Sequence, residues 1–360
     1  GTELGLWVSI DGGKQWAQYK GGDFPNAAVR DLAIDPRDKD LIIGTHGRGI
    51  WIIDDITPLR SLTPQLLAKE AAFIEARPTV QRITSFGGWV TGDAAFVGPN
   101  PTDEAMITYY QHKRHIFGDL KIEVFDQSGK LMSSIPSSKR RGLNRATWSM
   151  RLKAPRVPTA ASAAFGAATG PRVLPGTYTV KMTKDKNVYT TQLVIMADPR
   201  VKHTPEDRRA QFDLAMKLYN LLGDMTFAVD RINGVRLGLE QRAQKLPPND
   251  PLIVRLRTAQ AQIDELRKKI VATKEGGAIT GEERLRENLA DVYGNVNIYK
   301  GRPSQTQIER ADAIARELAN VVNSFDDWVT KEMPGLNSAL EKGSLGRIEV
   351  LSREKWEKER

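Results

Sequence analysis

Hydrophobic positions change period along the chain. From Val29 to Ile53 they fall in short runs, Val29-Arg30-Asp31-Leu32-Ala33-Ile34, Leu41-Ile42-Ile43 and Ile50-Trp51-Ile52-Ile53, bounded by glycine or proline. Such runs predict strands. Further short β-rich segments follow at Ala105 to Tyr110, Leu120 to Asp126, Lys130 to Ile135, Asn144 to Met150, Thr177 to Met182 and Val188 to Met196. Turn formers separate them, most clearly Asp126-Gln127-Ser128-Gly129-Lys130 and Lys184-Asp185-Lys186-Asn187, as in an antiparallel sandwich of immunoglobulin-like type. Between Lys153 and Pro175 an Ala/Gly/Pro-rich stretch carries neither period and is expected to be a mobile insert.

After Asp198-Pro199-Arg200 the spacing becomes three and four. Thr204-Pro205-Glu206-Asp207 opens a long amphipathic helix whose stripe is Leu214, Leu218, Leu222, Met225, Val229, Ile232, Val235 and Leu239. A second helix carries Leu252, Leu256, Ala259, Ile263, Leu266 and Ile270 and stops at Gly276-Gly277. A third is expected to open at the capping box Thr280-x-x-Glu283 and a fourth at Ser304-x-x-Gln307. Met333-Pro334-Gly335 is expected to end the fourth, leaving one short helix and a frayed charged end from Lys355 to Arg360. Four stripes with short connections predict an antiparallel helical bundle.

An internal repeat reshapes the first region. Gly1-Thr2, Gly5-Leu6-Trp7-Val8 and Asp11 recur as Gly44-Thr45, Gly49-Ile50-Trp51-Ile52 and Asp55, a displacement of about 43 residues that suits a four-stranded propeller blade. Ser9-Ile10-Asp11-Gly12-Gly13-Lys14-Gln15-Trp16 fits the Asp-box pattern Ser-x-Asp-x-Gly-x-x-Trp. Ser9, Asp11, Gly13 and Trp16 are read as structural: Asp11 accepts backbone amides, Gly13 takes positive φ, and Trp16 folds back as an apolar plug. The fold class is therefore multidomain, β then α. Residues 1–58 end an Asp-box β-propeller, 59–78 are a linker, 79–198 form the sandwich with the mobile insert 153–175, and 199–360 form the bundle.

Composition narrows the function classes. Apolar residues make up 40% and charged residues 27%, which suits packed domains, and no apolar run is long enough for a membrane span. Absence of cysteine excludes disulfides and thiolate metal sites. The net charge of +9 raises nucleic acid as a partner. Basic residues are interleaved with acids along most helical segments, as in Glu282-Glu283-Arg284-Leu285-Arg286-Glu287, and compact basic clusters such as Lys139-Arg140-Arg141 are short, so no nucleic-acid partner is expected. With neither an initiator Met nor a signal peptide, the chain reads as part of a longer protein.

The order of blade, sandwich and helical tail resembles the large bacterial repeat proteins of WD-type/YVTN/BNR-like or sortilin-like "glycosyl hydrolase" type. The resemblance spans nearly the whole chain. It is carried by Gly44-Thr45-His46-Gly47-Arg48-Gly49-Ile50-Trp51, Val124-Phe125-Asp126-Gln127-Ser128-Gly129-Lys130 and Gly142-Leu143-Asn144-Arg145-Ala146-Thr147-Trp148, then by Leu174-Pro175-Gly176-Thr177-Tyr178-Thr179-Val180 and Asp198-Pro199-Arg200. It implies a secreted, periplasmic or surface protein whose other blades lie upstream. Sialidase chemistry needs a tyrosine nucleophile with a glutamate, an acid/base aspartate and several arginines. Arg30, Arg37 and Arg48 are present without such a tyrosine, so no catalytic residue is assigned.

His46 and Arg48, in a Gly-rich turn, are the candidate binding rim; the alternative reading is a strand-end turn with satisfied polar side chains. His112, His115 and His203 lack metal-ligand spacing, and neither metal nor cofactor is expected. The function expected is a non-catalytic extracytoplasmic scaffold or binding module for a protein or glycan ligand; the alternative is an accessory region of a sialidase-like hydrolase with its catalytic residues upstream.

Overall fold

The computed structural model describes residues 1–82, 102–276 and 281–358. Mixed β sheets, one curled into a half-barrel, precede a helical C-terminal region. Two compact units share the chain: Gly1–Met150 with Pro175–Asp198, and Arg151–Leu174 with Pro199–Arg360. Among the described residues no helix is long and apolar enough to cross a membrane.

In the first unit, β1 (Trp7–Val8) pairs with β2 (Ala17–Gln18), and β3 (Val29–Ile34), β4 (Leu41–Thr45) and β5 (Ile50–Ile53) form an antiparallel sheet. Leu6, Val29 and Ile43 are buried together, with Phe24 and Trp51 packed against them. The two repeat segments share a threonine-closed turn but not its span, and Trp7 and Trp51 stand in different sheets rather than in equivalent positions. Thr2 Oγ1 donates to the Gly5 carbonyl at 3.0 Å, and Thr45 Oγ1 donates to the Gly49 carbonyl at 2.6 Å. The strands that follow present opposite alternations, Leu6 facing inward after one turn and Trp51 after the other.

Two one-turn helices, α1 (Thr57–Arg60) and α2 (Pro64–Leu67), lead to β6 (Ala71–Phe73). The expected linker 59–78 therefore contains an edge strand: Ala71-Ala72-Phe73 is short but apolar enough to pair with β8 (Ala105–Gln111), which also pairs with β11 (Gly142–Trp148). The second sheet runs β10 (Leu131–Ile135), β9 (Leu120–Phe125), β12 (Gly176–Lys184), β13 (Asn187–Ala197) and β7 (Thr79–Gln81). Its pairs are antiparallel except β13–β7. Alternate residues of the five-stranded sheet are buried, among them Ile122, Val124, Val180 and Met182, as half-buried strands require; in the three-stranded sheet β11 alternates, whereas β8 is buried on both faces from Ile107 to Gln111. The rings of Trp148 and Tyr178 meet edge to face across the two sheets at 5.2 Å.

The second unit is built on α3 (Pro205–Ala243), 39 residues long. Thr204 Oγ1 accepts from the Asp207 amide while the Asp207 carboxylate accepts from the Thr204 amide, and all eight residues of the sequence-predicted stripe are buried. They share one core with residues of α4 (Pro251–Ile270), α5 (Leu285–Ile298) and α6 (Gln305–Lys342).

Three expectations are corrected here. The helix α6 continues through Pro334. Proline removes one backbone bond, at a cost of roughly 3 kcal/mol, but Met333, Leu336 and Leu340 are all buried on that stretch, and each such burial contributes roughly 1.5–3 kcal/mol. The end is not frayed as far as Lys358: α7 (Arg353–Lys358) buries Trp356, whose Nε1 donates to Asp230 at 2.8 Å. Finally, Thr280 lies outside the described residues, and α5 begins only at Leu285, where the Glu287 carboxylate accepts from the Arg284 amide.

The insert 153–175 differs most from expectation. Residues 151–174 group with the helices, and the small residues serve close packing rather than mobility. A Cβ on Gly166 would fall 2.1 Å from the Ala290 carbonyl oxygen, and Gly294 of α5 faces Gly166 in turn. Arg286, almost fully buried, donates to the carbonyls of Pro158 and Ser162, and Tyr293 donates its hydroxyl to the Thr169 carbonyl.

Two substitutions check this packing. Leu222→Ala is expected to destabilise the helical unit by about 2–5 kcal/mol, and Arg286→Ala by about 2–3 kcal/mol through the carbonyls it strands. Denaturant unfolding followed by circular dichroism reads both, and a change within about 0.5 kcal/mol, the range of ordinary surface sites, contradicts the assignment.

Candidate functional site

The Asp-box residues meet in the turn between β1 and β2. Ser9 Oγ donates to Asp11 Oδ1 at 2.8 Å and accepts from the Gly13 amide at 2.8 Å. Asp11 Oδ1 also accepts from the amides of Lys14 at 3.1 Å and Gln15 at 3.0 Å. Gly12 and Gly13 have φ of 73° and 87°, the region where a side chain is strained. Trp16 folds back so that Nε1 donates to the Gly13 carbonyl at 3.1 Å. The ring is no plug, however: 60% of Trp16 is exposed, because its indole lies along the turn.

The bonds from Gln15 and Ser9 hold the Asp11 carboxyl below the usual carboxylate range. These bonds fall on Oδ1 and orient the carboxylate along its own turn. The same use recurs at Asp35, which accepts from the amides of Arg37 and Asp38, and at Asp126, which accepts from those of Ser128 and Lys130.

His46 and Arg48 occupy the turn between β4 and β5, framed by Gly47 at φ 76° and Gly49 at φ 72°. The His46 amide donates to the Ala28 carbonyl, and Trp51 Nε1 donates to the Arg48 carbonyl at 2.9 Å. The backbone is therefore fixed, while both side chains are exposed and form no hydrogen bond or ion pair with a described residue. Arg30 and Arg37 do not join them. Arg30 is held by both oxygens of Glu3, at 2.6 and 3.2 Å, and Arg37 by Asp38.

The remaining histidines stand apart. His112 Nδ1 lies 3.1 Å from the Leu67 carbonyl and His203 lies beside Tyr299, while His115 is buried with Nε2 3.6 Å from Asp185. Among the described residues no group of three or more His, Cys, Asp or Glu could hold a metal ion.

Sequence reasoning missed a cationic interior in the helical unit. Arg151 and Arg172 donate to Asn297, and Arg208 donates to the carbonyls of Arg172 and Val173 and to Gln211. Burial, and then the charges of Arg151 and Arg208, push the Arg172 guanidinium down to about 10. These cations close backbone carbonyls of the 151–174 segment. Their partners lie far away in sequence, so no local motif announces them.

Comparison with known protein families, with curated proteins and with solved structures returns no match to this chain.

The Asp11 turn has a predictable pH response. Since folding lowers the carboxyl's pKa, its contribution is present above the unfolded value and is lost as pH falls through the lower folded one. Protection of the Lys14 and Gln15 amides is expected to persist at neutral pH and to fall only below the ordinary aspartate range, as read by NMR titration. An Asp11 carboxyl that titrates at the ordinary value contradicts the turn geometry.

Proposed function

We propose that this chain is a non-catalytic extracytoplasmic scaffold or binding module for a protein or carbohydrate ligand, part of a larger Asp-box propeller protein. The observation that carries the reading is a division of labour among polar side chains. The acids of the recognisable turns are occupied by backbone amides, whereas His46 and Arg48 project from a fixed turn with no described partner. General acid–base work needs titratable groups converging on one point; recognition needs only donors on a rigid loop.

In this reading residues 1–58 are blade material, and the two sheets joined by Trp148 and Tyr178 form the immunoglobulin-like sandwich. Supporting the blade is a sheet that is apolar on both faces. Cross-strand register puts Ile43 and Trp51 on one face, which is covered, and Ile42, Ile50 and Ile52 on the other. Ile50 remains 74% exposed, and a neighbouring blade would cover it. The reading places the protein outside the cytoplasm, following the resemblance to exported repeat proteins.

Screening the purified chain on glycan and protein arrays tests the proposal. Binding is expected to weaken about tenfold on Arg48→Ala, the loss of one charge-assisted hydrogen bond, and to survive Asp11→Asn. Binding indifferent to Arg48→Ala removes the rim as the site, and absence of any ligand overturns the binding reading.

A further inference from the structure

A second surface of the first unit, independent of the rim, carries a different chemistry. After β8 the chain runs through His112-Lys113-Arg114-His115-Ile116-Phe117-Gly118. Ile116 and Phe117 are 66% and 86% exposed, two large apolar side chains side by side at a loop tip. Single exposed apolar residues are ordinary on protein surfaces; an adjacent pair rimmed by charge is not.

The tip is held from both sides. His115 is buried, and its amide donates to the Lys139 carbonyl at 2.9 Å. The Lys139 ammonium donates to the Gly118 carbonyl at 2.7 Å, and Gly118 has φ of 87°. These bonds bring Lys139-Arg140-Arg141 alongside Lys113 and Arg114. Arg114, Arg140 and Arg141 are exposed and so is Lys113. The nearby acids are Asp119, Asp185 and Glu70, the last paired with Lys184, so the cations still outnumber the acids around the tip.

We propose that this tip docks on an anionic lipid surface, with Ile116 and Phe117 entering the interface and the flanking cations facing the headgroups. The combination selects that partner. A phosphate backbone alone would use the cations and leave an isoleucine in water, whereas a bilayer surface rewards apolar insertion and cationic attraction together. Because the tip is already ordered by His115, Lys139 and Gly118, insertion sacrifices little conformational freedom.

Co-sedimentation of the full chain with phosphatidylcholine vesicles, with and without phosphatidylglycerol, tests the proposal. Binding is expected only to the phosphatidylglycerol vesicles and is expected to fall with added salt. Ile116→Ser with Phe117→Ser should weaken it about tenfold or more. Each of Lys113→Gln, Arg114→Gln, Arg140→Gln and Arg141→Gln should weaken it by up to about fivefold. These side chains are exposed, so folding is not at stake, and circular dichroism checks that. The chain has no cysteine, so Phe117→Cys carries a single polarity-sensitive dye, whose emission should shift to the blue on binding. Absence of binding, binding indifferent to the Ile116/Phe117 pair, an unshifted dye, or equal affinity for duplex DNA at the same salt each overturns the proposal.

Discussion

Backbone amides and carbonyls outside helices and ladders still need partners, and in this protein side chains supply them. An unmatched buried peptide group costs roughly 1–3 kcal/mol, enough to decide local structure. At the surface, where water also competes for the amides, Asp11, Asp35 and Asp126 close turns by accepting them. Arg145 donates to the carbonyls of Asp54 and Asp55 and so ties the end of β5 to β11. Asn337 receives the Ile348 amide and donates to its carbonyl, fixing the chain after α6. Arg286 and Asn297 do the same for the segment 151–174.

This use of polar groups bears directly on function. A carboxylate that accepts backbone amides on one oxygen is held ionised and oriented by its own turn, which makes it a poor proton donor near neutral pH. The arginines divide in the same way: Arg30 is held by Glu3 and Arg145 by carbonyls, while Arg48 is left to solvent. Two surfaces among the described residues that leave side chains to solvent are the His46–Arg48 turn and the tip at Ile116 and Phe117, both set on backbone that hydrogen bonds hold in place. Rigid presentation favours recognition over reaction.

What could be read in the sequence was what depends on neighbours in the chain. The α3 stripe is legible because a helix places residues three and four apart on one face, and every member from Leu214 to Leu239 is buried. The Asp-box turn is equally legible, since its bonds span at most four residues. The segment 153–175 is ambiguous in sequence because Ala and Gly suit both a flexible loop and a close approach to another backbone, and only Gly294 and Ala290 of α5 distinguish the two. Pro334 is ambiguous for a related reason: its local penalty is visible in sequence, while the burial of Leu336 and Leu340 that outweighs it is tertiary. The cationic interior around Arg172 and Asn297 left no local trace, and Trp16 looked like a core residue although its turn keeps it at the surface.

The central claim is that these polar side chains hold the fold and perform no chemistry of their own. Incubating the purified chain with sialoside and aryl-glycoside panels tests it most directly. The account predicts release of sugar and aglycone indistinguishable from buffer, whatever the pH. Turnover above that background which disappears on replacing a single aspartate or glutamate would contradict it.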